Sequence, residues 1–339
     1  MSLESKLNTA KQVKNKARAV KSAVRTAKGS RGGGKGGKND KKKFPKGLII
    51  ALVVLAIVGI GAAWHFGLLD DILNPPEATQ DERQVVSAEG EIRVHFIDVG
   101  QADGILIEDG NNAVLIDAGA RNGAAIIVPY IQALGIDTLD VVVGTHPHLD
   151  HIGGMPGVLN AFNIGEVWMP NVTHTTRAFE NFIDAILEND ITVHYAQAGD
   201  TLSAGLIQMT AVHPRRTGYS SLNDYTVVLH MRHGNTAFLF TGDAEGPSDR
   251  EILEDGWDIA STVMLAGHHG SRTSSSEELI DAISPDIAVI SVGEGNKYGH
   301  PHQVVLDRFY ERGIEVLRTD LEGTIILVTD GSAVRRETP

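Results

Sequence analysis

The stretch Thr145-His146-Pro147-His148-Leu149-Asp150-His151 constrains this chain more than any other. It follows the apolar run Asp140-Val141-Val142-Val143-Gly144, which reads as a strand. Four metal-ligating side chains, His146, His148, Asp150 and His151, therefore leave one strand end together. Imidazole and carboxylate are the usual nitrogen and oxygen donors for zinc, manganese or iron. On such a loop, His146 and His148 can turn to one cation while Asp150 and His151 turn to a second. The bland alternative is a polar, His-rich loop, and the surrounding sequence has to decide between the two. The 339 residues contain no cysteine, which excludes disulfides, thiolate ligands and a cysteine nucleophile.

Charge divides the chain. Residues 1–47 hold 15 Lys/Arg against 2 Asp/Glu, and residues 48–339 hold 15 against 41. The whole-chain net charge of −13 describes neither region. Residues 3–28 place Leu3, Leu7, Val13, Ala17, Val20 and Val24 at helical spacing among Lys and Arg. A basic helix on an anionic membrane surface and a solvated disordered segment both fit. The run 48–66 is continuously apolar, with only His65 ionisable. At about 1.5 Å per residue it matches a hydrocarbon core of ~30 Å. With the basic segment before it, the positive-inside rule predicts a single transmembrane anchor over 48–67. The N-terminus would be cytoplasmic and the remainder extracytoplasmic, in the cell membrane. A cleaved signal peptide is the rival reading, with Gly61-Ala62-Ala63 as its cleavage region. Residues 68–90, with Asn74-Pro75-Pro76, read as a linker, and the folded domain is expected over 91–335.

Within that domain, strands are expected around Ile92-Phe96, Ile105-Ile107 and Ala113-Ile116, and helices over 123–134 and 155–162. Strand 166–169, helix 176–188 and strand 191–195 follow. The second half predicts strand 206–212, a hairpin turning at Gly234-Asn235, helix 248–255, strand 262–266, helix 277–283, strand 286–291, helix 303–312, and strands near 315–318 and 324–329. Strands with interposed helices in both halves fit a four-layer α/β sandwich.

The H-x-H-x-D-H run resembles the signature of the metallo-β-lactamase superfamily, an αββα sandwich with metals along one edge. The resemblance implies later ligands in the order His213, Asp243, His268. His146, His148 and His213 would bind one divalent ion. Asp150, His151 and His268 would bind the other, with Asp243 between. Two Zn²⁺ or Mn²⁺ ions are the implied cofactors. Asp117, ending its own strand, would orient the metal loop. Further stretches are similar to the extracytoplasmic hydrolase domain of ComEC-type competence proteins. These are Phe96-Ile97-Asp98-Val99-Gly100-Gln101-Ala102-Asp103-Gly104, Gly267-His268-His269-Gly270-Ser271, Tyr298-Gly299-His300-Pro301-His302 and Arg318-Thr319-Asp320-Leu321-Glu322-Gly323-Thr324. They cover roughly 91–330 and imply a phosphodiesterase or nuclease acting on DNA, with competence or envelope proteins as partners.

Two cations supply an activated hydroxide and polarise the scissile group, so no serine nucleophile is needed. Asp150, Asp117 and His300 are the catalytic candidates. His269, Ser271, Arg272, Lys297 and His302 are the candidates for substrate binding. For His300 and His302, proton donation, phosphate binding and a simple His-Pro turn all fit. The acidic 48–339 region would repel bulk DNA. Arg215, Arg216, Arg272 and Lys297 lie in or beside the motif loops, which suits a local grip on a few phosphates. The same metal chemistry on cell-wall phosphodiesters, phosphorylcholine or a lactone is the second enzyme reading. A non-catalytic anchored binding module is the third.

Overall fold

The computed structural model describes residues 90–337. The expected anchor, basic segment and most of the linker lie outside those residues. Among the described residues, no helix is long and apolar enough to cross a membrane.

The chain runs β1 (Ile92–Phe96), β2 (Ile105–Glu108), β3 (Ala113–Ile116), α1 (Gly123–Ala133), β4 (Thr138–Val143), α2 (Leu149–Ile152), α3 (Met155–Ala161), β5 (Asn163–Pro170), α4 (Arg177–Glu188) and β6 (Thr192–Ala196). It continues β7 (Thr201–Ala204), β8 (Ile207–His213), β9 (Val228–His233), β10 (Thr236–Phe240), α5 (Gly246–Asp255), β11 (Val263–Leu265), α6 (Glu277–Ile283) and β12 (Ile287–Ile290). It ends α7 (Gln303–Glu311), β13 (Glu315–Arg318), α8 (Thr319–Glu322), β14 (Ile325–Thr329) and β15 (Val334–Glu337).

One sheet is ordered β15-β14-β1-β2-β3-β4-β5-β6, and the other β13-β12-β11-β10-β9-β8-β7. Strands β3 to β6 are mutually parallel, as are β10 to β13. Their carboxyl ends therefore open on common edges, where loops can gather functional groups. The two-residue period of a strand sorts side chains into layers. Val94, Phe96, Ile105 and Ile107 face Leu229, Met231, Phe238 and Phe240 in the core between the sheets. Leu106, Leu115 and Val142 point the other way and pack on Ile127 and Ile131 of α1, Leu159 of α3 and Phe182 of α4. Leu239, Met264 and Ile290 pack on Ile252 of α5, Ile280 of α6 and Phe309 of α7. The result is the expected helix–sheet–sheet–helix sandwich.

Side-chain caps explain two of the helix starts. The Thr176 hydroxyl caps α4 by accepting from Phe179 N, and Ser276 caps α6 by accepting from Leu279 N. Strands β7 and β15 were not expected. Both are four residues long and sit at sheet edges. Val-Arg-Arg-Glu in β15 carries little apolar pattern, because its charged side chains point to solvent and neighbouring carboxylates.

Candidate metal centre

The loop 145–151 leaves β4 and turns at once into α2. Asp117, just past β3, holds it. One Asp117 oxygen accepts from Thr145 N at 2.9 Å, and the other accepts from the Thr145 hydroxyl at 2.7 Å and from His151 Nδ1 at 2.7 Å. Asp117 is completely buried and has φ of 58°. A non-glycine residue at positive φ costs free energy that the surrounding contacts must offset. The three hydrogen bonds do so, and they fix the His151 ring with Nε2 directed away from Asp117.

Asp243 comes from the other sheet, after β10 and the turn at Gly242. A Cβ at Gly242 would stand 2.8 Å from the Thr226 side chain at a φ of 47°, so only glycine fits there. Asp243 Oδ1 faces His151 Nε2 at 3.2 Å and His269 Nε2 at 3.6 Å. Its Oδ2 faces His146 Nε2 at 3.4 Å and His268 Nε2 at 3.6 Å. Each oxygen thus meets a different pair of imidazoles. His148 Nδ1 lies 2.9 Å from His146 Nε2, completing the two-histidine arm.

Among the described residues, four sets of donors lie within 4.8 Å of one another and share Asp243 or His151: His146, His151 and Asp243; Asp150, His151 and His269; Asp103, Asp243 and His269; Asp103, Asp117 and His151. The donor set fits divalent cations. His151 Nε2, His269 Nε2 and Asp243 Oδ1 are buried atoms without a hydrogen-bond partner. Unsatisfied buried polar atoms are costly, and a shared cation removes that cost. The charges agree. Burial opposes a charged His269, but the Asp243 and Asp103 carboxylates outweigh it and push the ring up to about 10. Burial likewise opposes charge on His151, and Asp243 and Asp117 raise it well above its ordinary value. Asp103, Asp117, Asp150 and Asp243 converge here and favour positive charge between them.

His269, expected to touch substrate, is buried and groups with Asp150 and His151, the position expected for His268. His268 is 26% exposed at its side chain, and Glu245 holds its Nδ1 at 3.0 Å. Both residues have positive φ, 47° and 55°, and this turn swings the second ring inward. Asp103, two residues after Gln101 in the β1–β2 loop, was missed. It faces His269 Nδ1 at 3.4 Å and His151 Nδ1 at 3.8 Å. The Asp in the Gly-Gln-Ala-Asp-Gly turn was the available signal.

His213 is not brought into these sets. Its Nδ1 donates to Thr226 O at 2.8 Å, and its Nε2 lies 3.3 Å from the Tyr219 hydroxyl and 3.5 Å from Glu251 of α5. Arg215 and Arg216 are turned away to α5 as well. Arg215 pairs with Glu251, Glu254 and Asp255, and Arg216 pairs with Glu251. Ser271 is buried, and its hydroxyl lies 2.9 Å from that of Thr273. Arg272 is exposed, and its backbone N donates to His302 Nδ1 at 3.1 Å. Lys297 is exposed beside Tyr298. His300 stands between His268 and His302, with ring centroids 5.7 and 4.8 Å away. Burial and the neighbouring His268 lower its pKa to about 4.

Residues 97–294 match the profile of the metallo-β-lactamase superfamily. The chain is 32% identical over 258 residues to ComE operon protein 3 of Bacillus subtilis (strain 168), covering 71% of this chain and 33% of that protein. It is 31% identical over 280 residues to competence protein ComA of Neisseria gonorrhoeae, covering 81% and 37%. The chain thus spans about a third of the length of these curated relatives. The crystal structure of the metallo-β-lactamase fold protein YhfI from Bacillus subtilis superposes with a TM-score of 0.51 at 12% identity, over 71% of this chain and 100% of that one. Sheet order, cation-demanding donor cluster and sequence agree that this chain belongs to the metallo-β-lactamase superfamily.

Proposed function

We propose that this chain is a divalent-metal-dependent phosphodiesterase acting on nucleic acid. We further propose that the run 48–66 anchors it in a membrane with the hydrolase domain outside. The observation that carries the hydrolase reading is the meeting of three buried atoms that make no hydrogen bond, His151 Nε2, His269 Nε2 and Asp243 Oδ1. Similarity to competence proteins supports nucleic acid as the substrate class.

A pair of divalent cations there would acidify water and polarise a phosphoryl group. His146, His148, Asp243 and His268 would hold one, and Asp103, Asp150, His151, His269 and Asp243 the other. The chain's own residues do the rest. Asp117 fixes the His151 ring through Nδ1. Arg272 and Lys297 orient phosphate; among the described residues neither is in an ion pair, whereas Arg215 and Arg216 are consumed by α5. His300, beside His268, would offer a ring N–H as a hydrogen bond to the leaving oxygen.

The test is a substrate screen. Full-length protein with Zn²⁺ or Mn²⁺ is offered end-labelled single-stranded DNA, duplex DNA, RNA, a lactone and a phosphorylcholine ester. Cleavage of a nucleic acid, abolished by Asp243→Ala, is expected. Turnover of the lactone or phosphorylcholine ester with all nucleic acids intact would overturn the substrate assignment and leave the metal chemistry standing.

A further inference from the structure

Tyr298 has no part in the cation cluster, yet the structure holds it out to solvent beside that cluster. Its side chain belongs to a residue 54% exposed. The loop beneath it is firmly tied. Asn296 Oδ1 accepts from Tyr298 N at 3.1 Å and His300 N at 3.0 Å, and Asn296 Nδ2 donates to Gly293 O at 3.0 Å and His300 O at 2.6 Å. Gln101 Oε1 accepts from Gly293 N at 3.1 Å, which joins this loop to the turn carrying Asp103. An aromatic ring kept half in water by so many bonds gains little for folding.

From Tyr298 a line of rings leads inward. The Tyr298 and His300 rings stack at 5.7 Å and 28°, and His300 meets His268 edge-on at 5.7 Å. His268 Nε2 then faces Asp243 at 3.6 Å. Lys297 Nζ lies 5.0 Å from the Tyr298 ring centroid, so a cation accompanies the aromatic face.

We infer that Tyr298 is a stacking platform for one unpaired base next to the scissile phosphate, with Lys297 taking an adjacent phosphate. This rests on the phosphodiesterase reading above. An aromatic face accepts any base, and a base inside a duplex cannot reach it. The platform therefore selects single strands or frayed ends without selecting sequence. It also suits the acidic surroundings, because stacking supplies affinity that few cations are present to supply.

The experiment uses full-length protein loaded with Zn²⁺ or Mn²⁺, as wild type, Tyr298→Ala and Tyr298→Phe. Two single-stranded substrates share one backbone, one with bases and one with abasic sites flanking the scissile position. Stacking is worth about 1–3 kcal/mol per base, so Tyr298→Ala should lose roughly 5- to 150-fold in kcat/KM on the base-bearing strand. It should match wild type on the abasic strand, Tyr298→Phe should match wild type on both, and metal content should stay unchanged. Equal losses on both strands, or no loss on either, would overturn the platform while leaving the phosphodiesterase reading intact. A wild-type enzyme that cuts neither strand would overturn both.

Discussion

His151 Nδ1 lies 2.7 Å from Asp117 Oδ2, and this contact joins two strand ends before any cation is considered. The carboxylate that holds His151 also holds the backbone and hydroxyl of Thr145. Loop position and ring orientation are therefore set by one side chain.

Asp117→Ala should loosen both at once. Removing a carboxylate behind a ligating histidine typically costs about 10- to 100-fold in metal affinity. Competitive chelator titration of purified protein reads this directly. Unchanged affinity with a normal fold would show that the loop holds itself.

His269→Ala should lose more metal than His268→Ala. His269 is buried among Asp103, Asp150 and Asp243, whereas His268 is partly exposed and shared with Glu245. Elemental analysis of the two variants after identical dialysis decides the matter, and the reverse order would sink the assignment of His269.

Cation binding should stabilise the fold. A ligand at about 100 times its Kd adds ~2.7 kcal/mol. Wild-type protein should therefore melt at a higher temperature with Zn²⁺ or Mn²⁺ than after chelation. Asp243→Ala, which touches both imidazole pairs, should lose most of that difference. A metal-dependent shift of wild-type size in Asp243→Ala would move the binding site elsewhere.

Asp249 of α5 gives a pH prediction away from the cluster. Burial raises its carboxyl to about 6, against a partly compensating hydrogen bond from Ser276 N at 2.9 Å. The folded pKa is above the unfolded one, so the folded state binds more protons between them. Stability from this group is therefore present at low pH and lost as pH rises through about 6. Above that, the buried carboxylate costs on the order of 2–3 kcal/mol. Asp249→Asn keeps an acceptor for Ser276 and should be more stable than wild type at pH 8, with the difference shrinking towards pH 4. Denaturant midpoints at the two pH values check the sign.

The proposed anchor predicts that full-length protein stays with membranes through carbonate and high-salt washing. Protease added to intact protoplasts should then digest the hydrolase domain. Release by salt alone would argue for a surface-bound basic segment instead.

The sandwich was legible from the sequence because its strands are short apolar runs, buried between a second sheet and a helix layer, and its helices bury one face each. Alternation at Ile92, Val94 and Phe96, or the capped apolar pattern after Thr176, is a local property that needs no knowledge of the partner layer. The cluster His146-His148-Asp150-His151 was legible for the same reason, since one loop carries it. The remaining ligands depend on distant strand ends meeting. Asp103 and Asp243 come from opposite sheets, and nothing local in either loop announces their common neighbour His269. The choice between adjacent His268 and His269 turns on two positive φ angles, which only the folded chain specifies. The fate of Arg215 and Arg216 was likewise tertiary: charge in the sequence put them near a motif, and the carboxylates of α5 took them away. Sequence by itself determined which residues can bind metal or phosphate, because that is a matter of side-chain chemistry. Tertiary structure decided which of them do so together, because long-range packing sets the distances over which charge and coordination act.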